Sequence, residues 1–229
     1  MNKQYIFLQT IILLVSARNI NLNKTNTVRL VGEINEKLIS KAIDDIYNIK
    51  SYELYIYIDT GGGSVYEGQK LINTIDFMKD KKNISCIVQK AMSMGFVILQ
   101  SCPHRLSLKG GVLMQHQIST MINDQKARLK NYMKFLDDLE DNILKEQANR
   151  IGITKSKFIE LTYNDWYLTS YKALNHNVID EIVVVGCDKS IMTPIFNATV
   201  DNIRGGIILK EYRECPLITN AINIKFEED

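Results

Sequence analysis

Residues 54–64 read Leu-Tyr-Ile-Tyr-Ile-Asp-Thr-Gly-Gly-Gly-Ser, and residues 84–95 read Ile-Ser-Cys-Ile-Val-Gln-Lys-Ala-Met-Ser-Met-Gly. Each begins as a short β-rich run and ends in small residues, and each is followed by an apolar pattern that suits a helix. After the first, Val65, Leu71, Ile72, Ile75 and Met78 form a helical stripe. After the second comes an apolar helix ending near Cys102. Upstream, Val28–Val31 alternates as a strand and Gly32 closes it. Leu38, Ile39, Ala42, Ile43, Ile46 and Ile49 then recur at helical spacing, with Asn35 placed to cap that helix. Strands alternating with helices at this pitch argue for an α/β core built from crossover units.

Downstream the alternation continues. Val112–Met114 reads as a strand, and residues 125–148 as a long amphipathic helix ended by Gly152. Residues 156–161 and 170–174 read as short helices, and 182–185 as a strand. Residues 18–27 are polar and Asn-rich and read as a loop or arm. The tail from 187 carries a Gly205-Gly206 turn and the apolar run Ile207–Leu209, with no chemistry assigned to it.

Composition excludes several classes. The chain has 229 residues, 28 Lys+Arg against 26 Asp+Glu, and a formal net charge of +2. That balance gives no field to hold nucleic acid. The four cysteines (Cys86, Cys102, Cys187, Cys215) are too few for a disulfide scaffold at this length, and none form Cys-x-x-Cys. Cys102-Pro103-His104 offers two metal ligands with nothing nearby to complete four, so no metal site is expected. Lys3 followed by the apolar run Tyr5–Val15 and then Ser16-Ala17 fits a cleaved secretory signal, and equally a buried packing segment. The run is too short to span a membrane. Asn23, Asn83 and Asn197 stand in Asn-x-Ser/Thr triplets, which suit secretion but arise by chance in an Asn-rich chain.

Three features could carry chemistry. Ser93 stands at a strand-to-helix junction, where free backbone N–H groups and the positive end of the helix dipole favour an oxyanion. Taken alone, it fits a helix N-cap as well. The glycines at 61–63 lack the Gly-Lys-Ser/Thr ending of a phosphate loop, and their N–H groups are free to serve as further oxyanion donors or simply to make a tight turn. His116, just past a strand end, could act as general base for a serine, with Asp165 orienting it.

The segments YIYIDTGGGSV, KAMSMGF, LMQHQ and NDWYLTSYKALNHNVIDEI occur in one order with matching spacing. In this the chain resembles the proteolytic subunit of the Clp protease family. The resemblance divides the chain into an N-terminal apolar segment and polar arm (1–24), a Clp-like protease domain (25–186) and a C-terminal extension (187–229). It implies a Clp protease/crotonase-like α/β spiral of β-β-α units. It also implies a Ser93–His116–Asp165 triad, with the N–H groups of Gly63 and Met94 as the oxyanion hole. The expected function is an ATP-dependent serine endopeptidase working on unfolded polypeptides inside a ring of this subunit, heptameric and stacked in pairs.

By the same resemblance no metal or organic cofactor is expected, ATP being used by a Clp-type AAA+ unfoldase partner that docks at Tyr55 and Tyr57. The expected compartment is the cytoplasm, or the secretory route or an organelle if residues 1–17 are a cleaved signal. Gly61 stands where the family has proline and Met92 where it has alanine. No glycine occurs between Gly111 and Gly152, in a region where the family carries a Gly-rich strand. The alternatives are a crotonase-type acyl-CoA enzyme, a noncatalytic ring component, and a membrane-associated signal-peptide peptidase of related fold, which only the N-terminal segment supports.

Overall fold

The computed structural model describes residues 17–120, 123–200 and 207–227. The apolar segment 5–15 therefore lies outside the described residues. A mostly parallel sheet organises the body. Its strands are β1 (Asn19–Leu22), β2 (Thr27–Val31), β3 (Glu53–Thr60), β4 (Asn83–Met92), β5 (His104–Gln115), β6 (Trp166–Thr169) and β7 (Glu181–Cys187). The order across the sheet is β1-β7-β5-β4-β3-β2, with β6 pairing antiparallel to β5.

Helices α1 (Glu36–Asn48), α2 (Val65–Met78) and α3 (Met94–Ser101) make the crossovers. Each starts where the sequence provides a stop for the preceding strand. Asn35 caps α1 by accepting from the Leu38 N–H, and Ser64 caps α2 by accepting from the Glu67 N–H. Helix α3 is buried almost throughout, which explains its lack of a polar face. The long helix α4 (Lys126–Ile151) packs only through its second half, where Ile143, Leu144, Ala148 and Ile151 are buried. It ends at Gly152 in the left-handed conformation. Two short helices, α5 (Lys155–Thr162) and α6 (Ser170–Asn175), flank β6.

Strand alternation divides the interior in two. Leu54, Ile56 and Ile58 face the helices and join the larger core, with Val28, Leu30, Ile84 and Val88 beside them. Tyr57 and Ile87 face the other way, into a second cluster with Ile20, Leu22, Leu106 and Val183. The sheet curls around this second cluster. Edge strands β1 and β2 are joined by residues 23–26 alone, a reach of about 18 Å at most. Six strands side by side would span about 24 Å if flat.

Beyond the body, α7 (Lys189–Met192) leads into a separate three-stranded antiparallel sheet of β8 (Pro194–Val200), β9 (Ile207–Arg213) and β10 (Asn223–Glu227). The apolar run at 207–209 is therefore the start of a strand.

Three expectations change. Residues 19–22 are a strand rather than loop, paired in parallel with Val184–Cys187. The four cysteines form two disulfides, Cys86–Cys102 and Cys187–Cys215, although the low count argued against a disulfide framework. Tyr57, expected on a docking surface, is 1% exposed. Its face of the sheet closes on itself and is then covered by the C-terminal extension. Tyr55 stays half-buried at the rim of the same cluster.

Candidate active site

The parallel strands β3, β4 and β5 all end on one edge of the sheet, where an open α/β sheet places its ligands. Gly61–Gly63 follow β3, Ser93 follows β4, and His116 follows β5. The Ser93 N–H donates to the Met114 carbonyl at 2.9 Å, which fixes the Ser93 turn to the strand that leads to His116. Just below the two turns, Lys90 and Asp59 pair across β4 and β3 at 3.4 Å.

Ser93 has φ 52° and ψ −121°, a conformation that side-chain-bearing residues seldom adopt. Its hydroxyl makes no capping bond to α3. Instead Oγ lies 2.8 Å from His116 Nε2, hydrogen-bond distance for a nucleophile and its base. The strained turn lifts the side chain off the helix end and toward β5, so the N-cap reading of Ser93 does not describe its side chain.

The glycine turn is built around this serine. Gly62 has φ +104°, and a Cβ there would fall 2.7 Å from the Ser93 Cβ and 3.2 Å from its Oγ. Gly63 has φ +144° and lies against the Ile34 backbone, 2.3 Å from where its own Cβ would sit. The Gly62 N–H donates to Thr60 Oγ1, and the Ser64 N–H to the Ile34 carbonyl. Among the described hydrogen bonds, neither the Gly63 nor the Met94 N–H donates to a protein acceptor. Ile34, Thr60 and Gly62 were not singled out from sequence. The run of three glycines was the available signal, and it did not say which one touches the serine.

Asp165 sits directly before Trp166, whose register partner is Gln115, so it lies beside His116 across the antiparallel β5–β6 pair. Its φ is 53° and it is exposed. Among the described residues no hydrogen bond or ion pair joins it to His116. The fold thus bonds Ser93 to His116, and brings Asp165 alongside His116 without a hydrogen bond or ion pair between them. Gln115, next to His116, is buried and donates from Nε2 to Gln147 Oε1 at 2.8 Å, tying β5 to α4.

A model of the Clp protease family matches residues 14–186. The chain belongs to the Clp protease family. It is similar to the ATP-dependent Clp protease proteolytic subunit of Borreliella afzelii, 28% identical over 169 residues, covering 71% of this chain and 85% of that protein. The corresponding subunit of Borrelia garinii subsp. bavariensis is 29% identical over 169 residues, with 71% and 87% covered. The ATP-dependent Clp protease proteolytic subunit 2 of Synechococcus sp. is 28% identical over 133 residues, with 57% and 67% covered. The mixed α/β architecture with its mostly parallel sheet fits the family, as the resemblance implied. The family match stops at Gly186, one residue before the first cysteine of the C-terminal disulfide. No group of His, Cys, Asp and Glu among the described residues could hold a metal ion.

Proposed function

We propose that this chain is the proteolytic subunit of an ATP-dependent Clp-type protease, a serine endopeptidase that cleaves unfolded polypeptides inside a ring of its own copies. Membership of the Clp protease family supports peptidase chemistry. The observation that carries the catalytic assignment is the 2.8 Å contact between Ser93 Oγ and His116 Nε2. In this reading Ser93 attacks the scissile carbonyl carbon while His116 takes its proton. The carbonyl oxygen becomes an oxyanion held by the Gly63 and Met94 N–H groups, at the N-terminus of a buried helix. His116 returns the proton to the departing amine. Water then attacks the acyl-enzyme by the same route and frees Ser93. Asp165 orients His116 and balances the imidazolium, which requires its exposed carboxylate to close on the ring.

ATP enters only through a partner unfoldase, and Tyr55, at the rim of the second cluster, is the accessible part of the proposed docking face. A heptameric, paired-ring assembly belongs to the same proposal. A crotonase-type enzyme or a noncatalytic ring component would leave the bonded Ser93–His116 pair without a task. For the compartment, the two disulfides favour the secretory or organellar alternative over a reducing cytoplasm.

The test is Ser93→Ala in the assembled protein, assayed on short fluorogenic peptides. Turnover should fall by at least ~10³-fold with the assembly intact. Retained turnover would remove Ser93 from the mechanism.

A further inference from the structure

The C-terminal extension is a second small sheet attached to the curled body through few buried groups. Between residues 188 and 227, only Ile191, Cys215 and Pro216 are buried among the described side chains. Ile191 and Cys215 enter the same cluster as Tyr57, Leu22 and Ile87, and Ile218 packs on it. The central strand β9 is half-buried along most of its length, and β8 and β10 are largely exposed. Phe196 is 58% exposed and Ile224 60%, so the β8–β10 sheet contributes no core of its own.

The remaining attachments are polar and local. The Cys215 N–H donates to the Ile191 carbonyl at 2.9 Å, and the Asp188 N–H to the Leu22 carbonyl at 2.8 Å. Arg29 Nη1 reaches the Arg213 carbonyl at 3.5 Å, and Lys24 pairs with Glu214 at 3.7 Å on the surface. Arg29 is the register partner of Tyr57 on the neighbouring strand. The extension therefore lies over the strand face that carries Tyr57. Its covalent fastening is the Cys187–Cys215 disulfide, which closes a 28-residue separation.

The two disulfides differ in access. Cys86 and Cys102 are 0% and 1% exposed inside the helix-side core. Cys215 is 2% exposed, but Cys187 at the end of β7 is half-buried. Of the two pairs, only Cys187–Cys215 includes a residue that is not fully buried, so it is the more open to an attacking thiolate.

We propose that α7 and the β8–β10 sheet are a thiol-releasable cover: reduction of Cys187–Cys215 frees the extension and opens the apolar strand face around Tyr57. The reductant is a dithiol. One of its thiolates attacks Cys187 Sγ and expels Cys215 as a thiolate. Its second thiol then resolves the mixed disulfide. Two electrons and two protons pass to the protein, leaving two cysteine thiols and an oxidised dithiol. Burial, with the neighbouring Asp59 charge adding to it, pushes the Tyr57 phenol up to about 12, in keeping with a ring sealed from water. In the proposed function, this would add the Tyr57 part of the unfoldase-docking face in the reduced protein, Tyr55 being accessible in both forms. That consequence rests on the docking proposal, but the cover itself does not.

The test uses no hydrolysis readout. The full chain is treated with graded dithiothreitol, alkylated and mapped by mass spectrometry, with hydrogen exchange followed in parallel. Cys187 and Cys215 should be alkylated at doses that leave Cys86 and Cys102 oxidised. Amide exchange over 207–213 should then rise roughly 10²-fold, the loss of a loop-closing link of this length, while exchange over 84–88 stays unchanged. The Cys187→Ser/Cys215→Ser chain, without reductant, should show the same fast exchange and should be nitrated at Tyr57 where the oxidised chain is not. Unchanged exchange over 207–213 after selective reduction would overturn the proposal. So would alkylation of all four cysteines at one dose, or a Tyr57 equally unreactive in both chains.

Discussion

Replacing Gly62 by alanine tests whether the glycine turn is built against Ser93, the proposed nucleophile. The new Cβ would stand 2.7 Å from the Ser93 Cβ and 3.0 Å from the Met92 carbonyl oxygen. Restoring an ordinary contact of 3.4 Å moves one of the two turns by about 0.7 Å. The backbone at φ +104° is also strained for any residue with a side chain, at about 1–3 kcal/mol. A displacement near 1 Å at a reacting group costs about 10²-fold in rate. Gly62→Ala should therefore lose about 10–10² in kcat on a short fluorogenic peptide. Its Tm should fall by about 2–12 °C, at roughly 2–4 °C per kcal/mol for a chain of this size. Gly61→Ala is the control, because nothing lies within 4 Å of its added Cβ. It should match the unsubstituted chain in both measurements. If Gly62→Ala turns over as fast as Gly61→Ala, the turn does not pack on a serine that does the chemistry, and the proposed site is wrong.

Three more outcomes follow from the same structure. Asp165→Asn should slow peptide hydrolysis by ~10² or more, with little change in Tm, because the residue is exposed and its proposed work is on His116; a wild-type rate would show that another group orients the imidazole. Arg105 is 1% exposed and donates to Asp180, which is exposed, and to Gln100, so Arg105→Met should lower urea-unfolding stability by about 1–3 kcal/mol through the lost hydrogen bonds. Burial alone would raise the Asp180 carboxyl, but hydrogen bonds and charge from Arg105, with Arg150 adding to them, outweigh it and hold it below its ordinary value. A lowered folded-state pKa contributes stability above the ordinary carboxylate range and loses it as pH falls through the lowered value. Melting scans should thus show an acid-side drop below about pH 4, flatter in Asp180→Asn than in the native chain.

The α/β core was legible because its signals are local. Asn35, the 39/42/46 stripe and the β3 alternation state helix cap, helix face and strand face within a few residues. The Ser93–His116 pair was legible only through motif order, since nothing in either segment says that their turns meet. Three features were not legible, and each depends on distant parts of the chain. The four-residue β1 has two apolar residues in an Asn-rich stretch, and its partner lies more than 160 positions later. The cysteines pair across separations of 16 and 28 residues, which no spacing rule connects. Tyr57 sits in a pattern that shows which face it shares with Tyr55, but not that the sheet curls and the extension closes over that face. The β5–β6 register sets Asp165 across from His116. Its left-handed backbone and exposure could not be read from the sequence.

The central claim is that Ser93 is an activated nucleophile in a formed site. A fluorophosphonate reacts with such a serine and is retained as a covalent adduct that peptide mapping locates. The assembled protein should carry one adduct, on the peptide containing Ser93, and His116→Ala should abolish it. An assembled protein that carries no adduct at Ser93, or is labelled at another residue, would contradict the account.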